Sequence, residues 1–419
     1  MKNKNTIYVL LLLCVVAIGF WGIPALVKKA AYAQDRYPFV YYSSLLREFC
    51  FTEFDGRKDN LHDASGRIYT REQFDSVMPL LNYRQLHSNG TMPDSIDGIA
   101  IDPRILRTKQ VVFRYSPKDI NTPEIGLYIM YESLPKRLNL ESPGDVFRFN
   151  KNIEFIDIRT NKINEEKSAV FQSALEKYDY SFPAQWTSGN LNIRKPYDEG
   201  YFSLDADGKL FHLKMVNGKP YVKNTQINKQ MEIAHFSILE VIDKRFYGFV
   251  FDKKGQVYIL EENGGNYVPL KLDIDPLNLE KDHLMVVGNL LYWIVSVDNE
   301  TGKKVYSLKT ETLQKADECF IPAPENRWNK YAQWLFPAYL TFKNSDSNYI
   351  VPKIHFTGFY AFAIHILLLF ILFLIWKPFR KNLIFNVIFV LLTGIAGAFA
   401  LLITPVGSKR KNISHKIIL

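Results

Sequence analysis

The sequence predicts a mainly β domain between an N-terminal membrane helix and a C-terminal membrane helical hairpin. One observation is a turn motif, Asp or Asn followed three residues later by Gly, that recurs every 47 residues at Asp205, Asp252 and Asn299. The other is a set of three long apolar runs near the two ends of the chain. Four antiparallel strands in about 40–50 residues are typical of a β-propeller blade. Residues 99–325 would therefore hold about four or five blades, partly irregular, with a β-sandwich as the alternative.

The three apolar runs cover residues 7–26, 356–376 and 383–403, and none contains a Lys, Arg, Asp or Glu. About 20 such residues suffice for a helix to cross a bilayer. We expect residues 1–34 to be an uncleaved anchor or signal-anchor, and residues 356–404 to be a two-helix hairpin followed by a basic tail at 405–419. His365 lies inside the second run, where an ionisable residue is a candidate membrane site. A neutral histidine bonded to a neighbouring helix is the alternative.

The positive charge lies at the membrane segments. Residues 1–29 and 356–419 contain eleven lysines and arginines and no acid, which leaves −2 of the total charge of +9 for residues 30–355. This distribution argues against nucleic-acid binding, which needs a basic surface on the folded domain. Lys2, Lys4 and the basic hairpin tip favour a cytoplasmic N-terminus, whereas the basic tail argues against it. We expect a multi-pass protein of the inner (plasma) membrane with its large domain outside the cytoplasm.

The remaining segments follow in order. Residues 35–98 form an irregular α/β lead-in, in which Thr70 and Gln73 have the spacing of a helix capping box. Residues 99–325 form the β-repeat domain, with one helix expected at 168–180, and residues 326–355 form an aromatic linker. Alternating apolar residues predict two four-stranded units, at 236–242, 247–252, 256–261 and 267–272, and then at 283–287, 291–297, 304–308 and 317–321.

Motifs that carry chemistry are missing from the sequence. It contains no phosphate-binding Gly-rich loop with a Lys and no signature of a serine hydrolase, zinc protease or kinase. We therefore assign no catalytic residue, metal ligand or cofactor, and we expect a binding protein rather than an enzyme. Three strand histidines, His212, His235 and His283, are isolated side chains in one interpretation and a convergent pair in a propeller channel in the other.

Two cysteines lie near opposite ends of the central region. Cys50 and Cys319 would form a disulfide in an oxidising compartment, and otherwise they are two separate buried thiols. No Cys-x-x-Cys pair or Cys/His cluster with metal-binding spacing accompanies them.

Several short motifs resemble a known family. They lie at residues 66–70, 78–81, 83–86, 92–94, 145–149 and 156–159. With the terminal membrane segments, they resemble domain-of-unknown-function family 4857, bacterial membrane-anchored proteins without an established activity. The resemblance implies an accessory subunit beside the separate ATPase and permease chains of an ABC-type transport system. We thus expect a binding or accessory subunit of a membrane complex. The alternative is an extracytoplasmic ligand sensor or enzyme with its site in the propeller channel.

Overall fold

The structure is a computed structural model that describes residues 2–31, 37–54, 58–122, 126–137, 139–323, 327–342 and 347–403. The basic tail predicted at 405–419 lies outside the described residues. The chain divides into two compact units. The helical unit contains residues 1–36, 324–344 and 349–419, and the β-domain contains residues 37–323 and 345–348. Helix α1 (Lys2–Ala31) begins the helical unit.

The β-domain begins with a three-stranded antiparallel sheet and several short helices. Their order is β1 (Phe39–Ser43), β2 (Glu48–Phe54), β3 (Asp59–Asp63), α2 (Arg71–Val77), α3 (Tyr83–Ser88), β4 (Ser95–Ile96), β5 (Ile99–Ala100) and α4 (Pro103–Thr108). The predicted capping box is confirmed. Thr70 Oγ1 accepts a hydrogen bond from the Gln73 amide at 3.3 Å, and Gln73 Oε1 accepts one from the Thr70 amide at 3.0 Å. Both exposed amides at the start of α2 are thereby satisfied.

A second three-stranded sheet follows. The elements are β6 (Val111–Tyr115), α5 (Lys118–Asn121), β7 (Asp145–Phe149), β8 (Ile153–Asp157), β9 (Lys162–Ile163) and α6 (Glu165–Lys177). Strands β7, β8 and β9 pair with one another, whereas β6 joins a sheet formed much later in the chain. Helix α6 starts three residues before the predicted position because Asn164 caps it by accepting from the Lys167 amide at 3.0 Å.

Residues 186–322 of the predicted repeat region form three antiparallel sheets. The first contains β10 (Trp186–Gly189), β11 (Tyr201–Leu204), β12 (Leu210–Val216) and β13 (Lys219–Asn224), followed by a 3₁₀ turn (Ile227–Lys229). The second contains β14 (Ile233–Ile238), β15 (Phe246–Asp252), β16 (Val257–Asn263) and β17 (Asn266–Lys271). The third contains β18 (His283–Gly288), β19 (Tyr292–Asp298), β20 (Gly302–Lys309) and β21 (Lys315–Pro322), with β6 as a fifth strand beside β18. The prediction of a mainly β fold with antiparallel strands is confirmed.

The recurring Asp or Asn caps its hairpin turn each time by accepting backbone amides. The Oδ1 atom of Asp252 accepts hydrogen bonds from the amides of Lys254 at 2.9 Å and Gln256 at 2.8 Å. Asp205 makes the equivalent bonds to the amides of Asp207 and Lys209, whereas Asn299 accepts from the amides of Thr301 and Gly302. Gly255, with a φ of +80°, supplies the left-handed residue of its turn. The 47-residue motif therefore closes hairpins by side-chain capping of the turn.

The main core of the β-domain joins strands that are distant in sequence. Phe113 of β6 stacks on Phe249 of β15, with ring centroids 3.9 Å apart. Trp293 of β19 is buried beside Phe246 of β15, and their ring centroids are 5.6 Å apart. Burying one large apolar side chain contributes about 1.5–3 kcal/mol. These contacts hold β6 against the second and third sheets.

The helical unit continues with α7 (Arg327–Leu335), β22 (Ala338–Thr341), β23 (Lys353–Phe356), α8 (Ala361–Ile375), a 3₁₀ turn (Lys377–Asn382) and α9 (Leu383–Ile403). Within the described residues, two helical segments are long and apolar enough to cross a membrane: Val9–Ala30 and α9. The predicted second span at 356–376 is shorter than expected. Phe356 pairs with β22, and α8 begins only at Ala361, so it has 15 residues. At 1.5 Å per residue, its length is about 22 Å.

Candidate ligand-binding site

A polar cavity of about 390 Å³ lies in the β-domain where three strands from different parts of the sequence approach one another. We call it the Arg114 cavity. Its walls come from β6, α5, the β10 segment and β14, and its polar lining residues are Arg114, Asp119, Thr187, Ser188, Asn190, His235 and Ser237. A second cavity of about 570 Å³ shares Arg114 and Asp119 and is also lined by His283, Ser296 and Asp298. Arg114 therefore lies at the boundary of two cavities.

Arg114 is placed there by the alternation of β6. Val111, Phe113 and Tyr115 are buried, whereas Val112 and Arg114 are exposed, as expected for a strand with one face on the core. The Arg114 guanidinium forms no hydrogen bond or ion pair with any described residue. The neighbouring Asp119 instead accepts a hydrogen bond from the Ser116 amide, at 2.7 Å. Five N–H donors of Arg114 thus remain open to a ligand.

His235 and Ser237 lie two residues apart on β14, so their side chains share one face of the strand. His235 Nε2 is 3.0 Å from Ser237 Oγ. Burial lowers the pKa of His235 to about 4, although Asp119 opposes the shift. The imidazole is therefore neutral at pH 7 and offers one donor and one acceptor. In the described residues, no carboxylate bonds to the second ring nitrogen, so the pair lacks the third group that orients the base of a catalytic triad.

Trp186 and Ser188 contribute the β10 side of the cavity. The Trp186 ring lies 5.8 Å from the His235 ring. Its Nε1 is buried and has no hydrogen-bond partner in the part of the chain that the structure describes. Ser188 Oγ accepts a hydrogen bond from the Ile238 amide at 3.2 Å, which ties β10 to β14. Trp186 thus lines the cavity, while its indole nitrogen is enclosed in the protein.

Beside Asn190 is a closed group of charges, the Lys195 cluster, defined by Lys195, Asp198 and Glu240. Their side chains are at most 2% exposed. Lys195 Nζ contacts Asp198 Oδ1, and it donates to Glu240 Oε1 at 3.0 Å and to the Asn190 carbonyl at 2.9 Å. Asn190 Nδ2 in turn donates to Glu240 Oε2 at 2.7 Å. The cluster therefore fixes the end of β10 that carries Asn190.

Burial raises the pKa of Glu240. A hydrogen bond from the Glu199 amide and the nearby Lys195 lower it, by less. Ser133 Oγ donates to Asp198 Oδ2 at 2.6 Å. Buried charges are tolerated when they are paired and hydrogen-bonded in this way. The Lys195 cluster thus supports the cavity wall and leaves no group open to a ligand.

The other two strand histidines do not join His235. His212 is fully buried and stacks on Phe202, with ring centroids 4.3 Å apart, and its Nδ1 is 2.6 Å from the Tyr267 hydroxyl. Burial lowers the pKa of His212 to about 3. His283 lines the second cavity. The three residues therefore occupy separate positions.

Cys50 and Cys319 are both free thiols in the structure. Burial raises the pKa of Cys50 to about 12 and that of Cys319 to about 11. Since the thiolate is the reactive form, neither cysteine has the environment of a reactive nucleophile.

His365 is fully buried in the helical unit, against a break in α9. Gly394 has φ +60° and ψ −137°, which are not helical values. A Cβ at Gly394 would lie 2.3 Å from His365 Nε2. His365 Nδ1 is 3.1 Å from the Leu391 carbonyl, and its Nε2 has no hydrogen-bond partner among the described residues. The imidazole thus satisfies a carbonyl next to the break and fills the space that the glycine leaves.

The arrangement around Arg114 can bind an anion and orient it through hydroxyl, amide and imidazole groups. No group of three or more potential metal ligands occurs in the described ranges. Neither Arg114 nor Trp186 was predicted from the sequence as a site residue. One usable signal was present: Arg114 is the single charged residue of β6, and it alternates with two buried aromatic residues.

Comparisons with known proteins give a family and no activity. The family model described as Domain of unknown function (DUF4857) matches residues 39–308. No curated protein matches the sequence. Among solved structures, dihydro-heme d1 dehydrogenase NirN in complex with DHE is 11% identical, with a TM-score of 0.20 and coverage of 61% of this chain and 66% of NirN. PorZ, a surface component of the type-IX secretion system of Porphyromonas gingivalis, is 10% identical, with a TM-score of 0.21 and coverage of 71% and 34%. This chain thus spans less than two thirds of either protein.

Proposed function

This chain belongs to the family Domain of unknown function (DUF4857), and we propose that it is a membrane-anchored binding protein whose β-domain holds a small anionic ligand in the Arg114 cavity. The observation that carries the proposal is the Arg114 guanidinium, which faces a polar cavity without an ion pair to any described residue. Arginine binds carboxylate and phosphate groups through paired N–H donors. The ligand class is therefore a small carboxylate or phosphate.

The rest of the cavity supplies orientation. Ser188, Asn190 and Ser237 offer neutral hydrogen-bonding groups, and Trp186 offers an aromatic surface. Ligand sites commonly combine one charged group with a few converging polar groups in a cleft of about 300–1,000 Å³. Asp119 borders the same space, so a ligand that also carries a hydroxyl or ammonium group would fit better than a bare anion.

We also propose that the antiparallel sheets are the blades of a propeller-like domain of about four or five blades. Support comes from the cavity walls, because β6, β10 and β14 each lie at the edge of their own sheet and line the same space. A propeller arranges the edge strands of its blades around a central channel. The Arg114 cavity would then belong to that channel, which is where a ligand sensor would hold its ligand.

The membrane anchor is α1, with α9 as a further span, and the β-domain lies outside the cytoplasm. The apolar character of both helices and the charges at Lys2, Lys4 and residues 377–382 support this arrangement. Since Cys50 is buried and Cys319 is half-buried, the test is labelling in intact cells of a cysteine introduced at an exposed position of the β-domain, Lys253→Cys. Labelling that requires cell lysis would place the domain in the cytoplasm.

The test of ligand binding uses the full chain in detergent and a panel of succinate, citrate and inorganic phosphate. We expect at least one of them to raise the Tm of the wild type. Arg114→Gln should lose this shift, since a charge-assisted hydrogen bond contributes about 1.5–3 kcal/mol. The control is Arg107→Gln, which changes an exposed arginine of α4 that is not part of the cavity. Equal shifts in the wild type and the Arg114 variant would contradict the proposed site.

A second candidate function is that of an accessory subunit in a membrane complex, with ATPase and permease chains of an ABC-type system as partners. The observation in its favour is that the apolar windows of Val9–Ala30 and α9 are only 22% and 44% buried, which leaves surface for lipid or for partner helices. Crosslinking in cells followed by purification in detergent should recover other membrane chains. Recovery of a free monomer alone would contradict this role.

A further inference from the structure

A third cavity of the β-domain, of about 230 Å³, lies between the end of β13, the 3₁₀ turn and the start of β17. Its lining includes Lys223, Thr225, Gln226, Lys229, Gln230 and Asn266, and it contains two lysines and no acidic residue. We propose that this Lys223–Lys229 cavity is a second binding site, separate from the Arg114 cavity, for a small ligand that carries an oxyanion such as phosphate.

Lys223 is half-buried and Lys229 is exposed, and both differ from the lysines of the β-domain that pair with a carboxylate. Lys214 pairs with Glu199 at 2.7 Å, and Lys304 pairs with Asp275 at 2.7 Å. Lys223 Nζ instead donates to the Gly265 carbonyl and lies 4.9 Å from the centre of the Tyr267 ring. Lys229 Nζ donates to Gln226 Oε1 at 3.0 Å. Within the described residues, neither lysine forms an ion pair with a carboxylate.

These neutral contacts position the ammonium groups without neutralising them. An ammonium group has three donors, and each lysine uses one of them for the contact named above. Two positive charges on one small cavity repel each other and favour an anion between them. The side-chain amides of Gln230 and Asn266 add neutral donors, as an oxyanion with several oxygens requires.

The cavity walls are fixed by buried contacts. Thr225 is 5% exposed, and its Oγ1 donates to the Leu210 carbonyl at 2.8 Å. Ile227 is fully buried at the start of the 3₁₀ turn that carries Lys229. Thr225 and Ile227 therefore hold the backbone between the two lysines in place, which reduces the conformational entropy lost on binding.

The experiment is titration calorimetry with inorganic phosphate on the full chain in detergent, in an Arg114→Gln background that removes the first anion site. We expect saturable binding that weakens at least tenfold in Lys223→Gln and in Lys229→Gln, because each removes one charge-assisted hydrogen bond. The matched control is Lys253→Gln. Lys253 is exposed and lies 3.5 Å from Glu232, so its loss should leave phosphate affinity unchanged.

A double Lys223→Arg/Lys229→Arg variant retains both charges and should retain binding, which separates loss of charge from loss of folding. The absence of saturable phosphate binding in the Arg114→Gln background would overturn the proposal. An equal loss of affinity in the Lys253 control would also overturn it, since that result would indicate nonspecific attraction to surface lysines.

Discussion

The Arg114 cavity and the Lys195 cluster meet at Asn190. They differ in whether their cation is paired with a carboxylate of the protein. In the cluster, Lys195 bonds to two carboxylates and one carbonyl, and its side chain is 2% exposed. In the cavity, Arg114 faces open space without an ion pair to a described residue. A buried charge whose bonds are all made within the protein is tolerated by the fold and is costly to leave unpaired, whereas a charge beside open space is available to a ligand.

His365 extends this comparison to the helical unit. Like the Lys195 cluster, it is a buried polar group in a closed environment, with its ring against Gly394. Its position in an apolar helix made it a candidate functional site from sequence. Its contact with the Leu391 carbonyl favours the structural alternative, a histidine bonded to a neighbouring helix. No transport role is needed to explain its burial.

The largest loss of stability should come from removing the cation of the Lys195 cluster. Lys195→Met would leave Asp198 and Glu240 buried without their cation, and we expect a loss of about 3–5 kcal/mol in the free energy of unfolding. Urea denaturation of the full chain measures it. Lys315→Met is the control, because the Lys315–Glu318 pair is exposed and such pairs contribute about 0–1 kcal/mol. Similar losses in both variants would show that the buried Lys195 cluster contributes no more to stability than an exposed ion pair.

A smaller loss, of about 1–3 kcal/mol, should follow Gly394→Ala, because non-glycine residues are strained at that backbone conformation and the new Cβ would collide with the His365 ring. The Tm in detergent measures the change. Gly22→Ala in α1 is a matched control, since a Cβ there meets no atom within 4 Å. An unchanged Tm for Gly394→Ala would show that the break in α9 is not held by His365.

The stability of the protein at acidic pH should depend on the protonation of His235. Its folded pKa of about 4 lies below the usual value of about 6.5. The unfolded chain therefore binds more protons between these values, so the stabilisation is complete above pH 6.5 and is lost as the pH falls towards 4. Between pH 7 and 4.5, we expect the free energy of unfolding of the wild type to fall by about 1–2 kcal/mol more than that of His235→Gln. The difference is below the full value of the pKa change because the ring is partly exposed to solvent. Parallel pH curves for the two proteins would contradict this assignment.

The smallest effect on stability should come from Arg114→Gln. An exposed residue without an ion pair to a described partner contributes within about 0.5 kcal/mol, so the urea midpoint should hardly move. The same variant should lose the ligand-induced rise in Tm. A destabilisation of several kcal/mol would instead show that Arg114 stabilises the fold, as we expect for Lys195.

Local chemistry accounts for what could be predicted. The strands of the repeat region lie within a few residues of the predicted bounds because alternation and turn residues act over short distances. The capping box at Thr70 and Gln73 was visible for the same reason. The second apolar run was predicted too long, since Phe356 pairs with β22 and the helix begins only at Ala361. Apolar composition alone does not distinguish a strand end from a helix start.

The sequence by itself determined a mainly β domain with antiparallel hairpins, the turn chemistry of Asp205, Asp252 and Asn299, and two long apolar helices. Tertiary structure alone decided where the polar groups meet. Arg114, Trp186 and His235 lie on strands separated by about 50–70 residues, and β6 pairs with β18, which is more than 150 residues later in the chain. Such contacts depend on the burial of Phe113 against Phe249, and no local spacing in a sequence records which distant strands share a core.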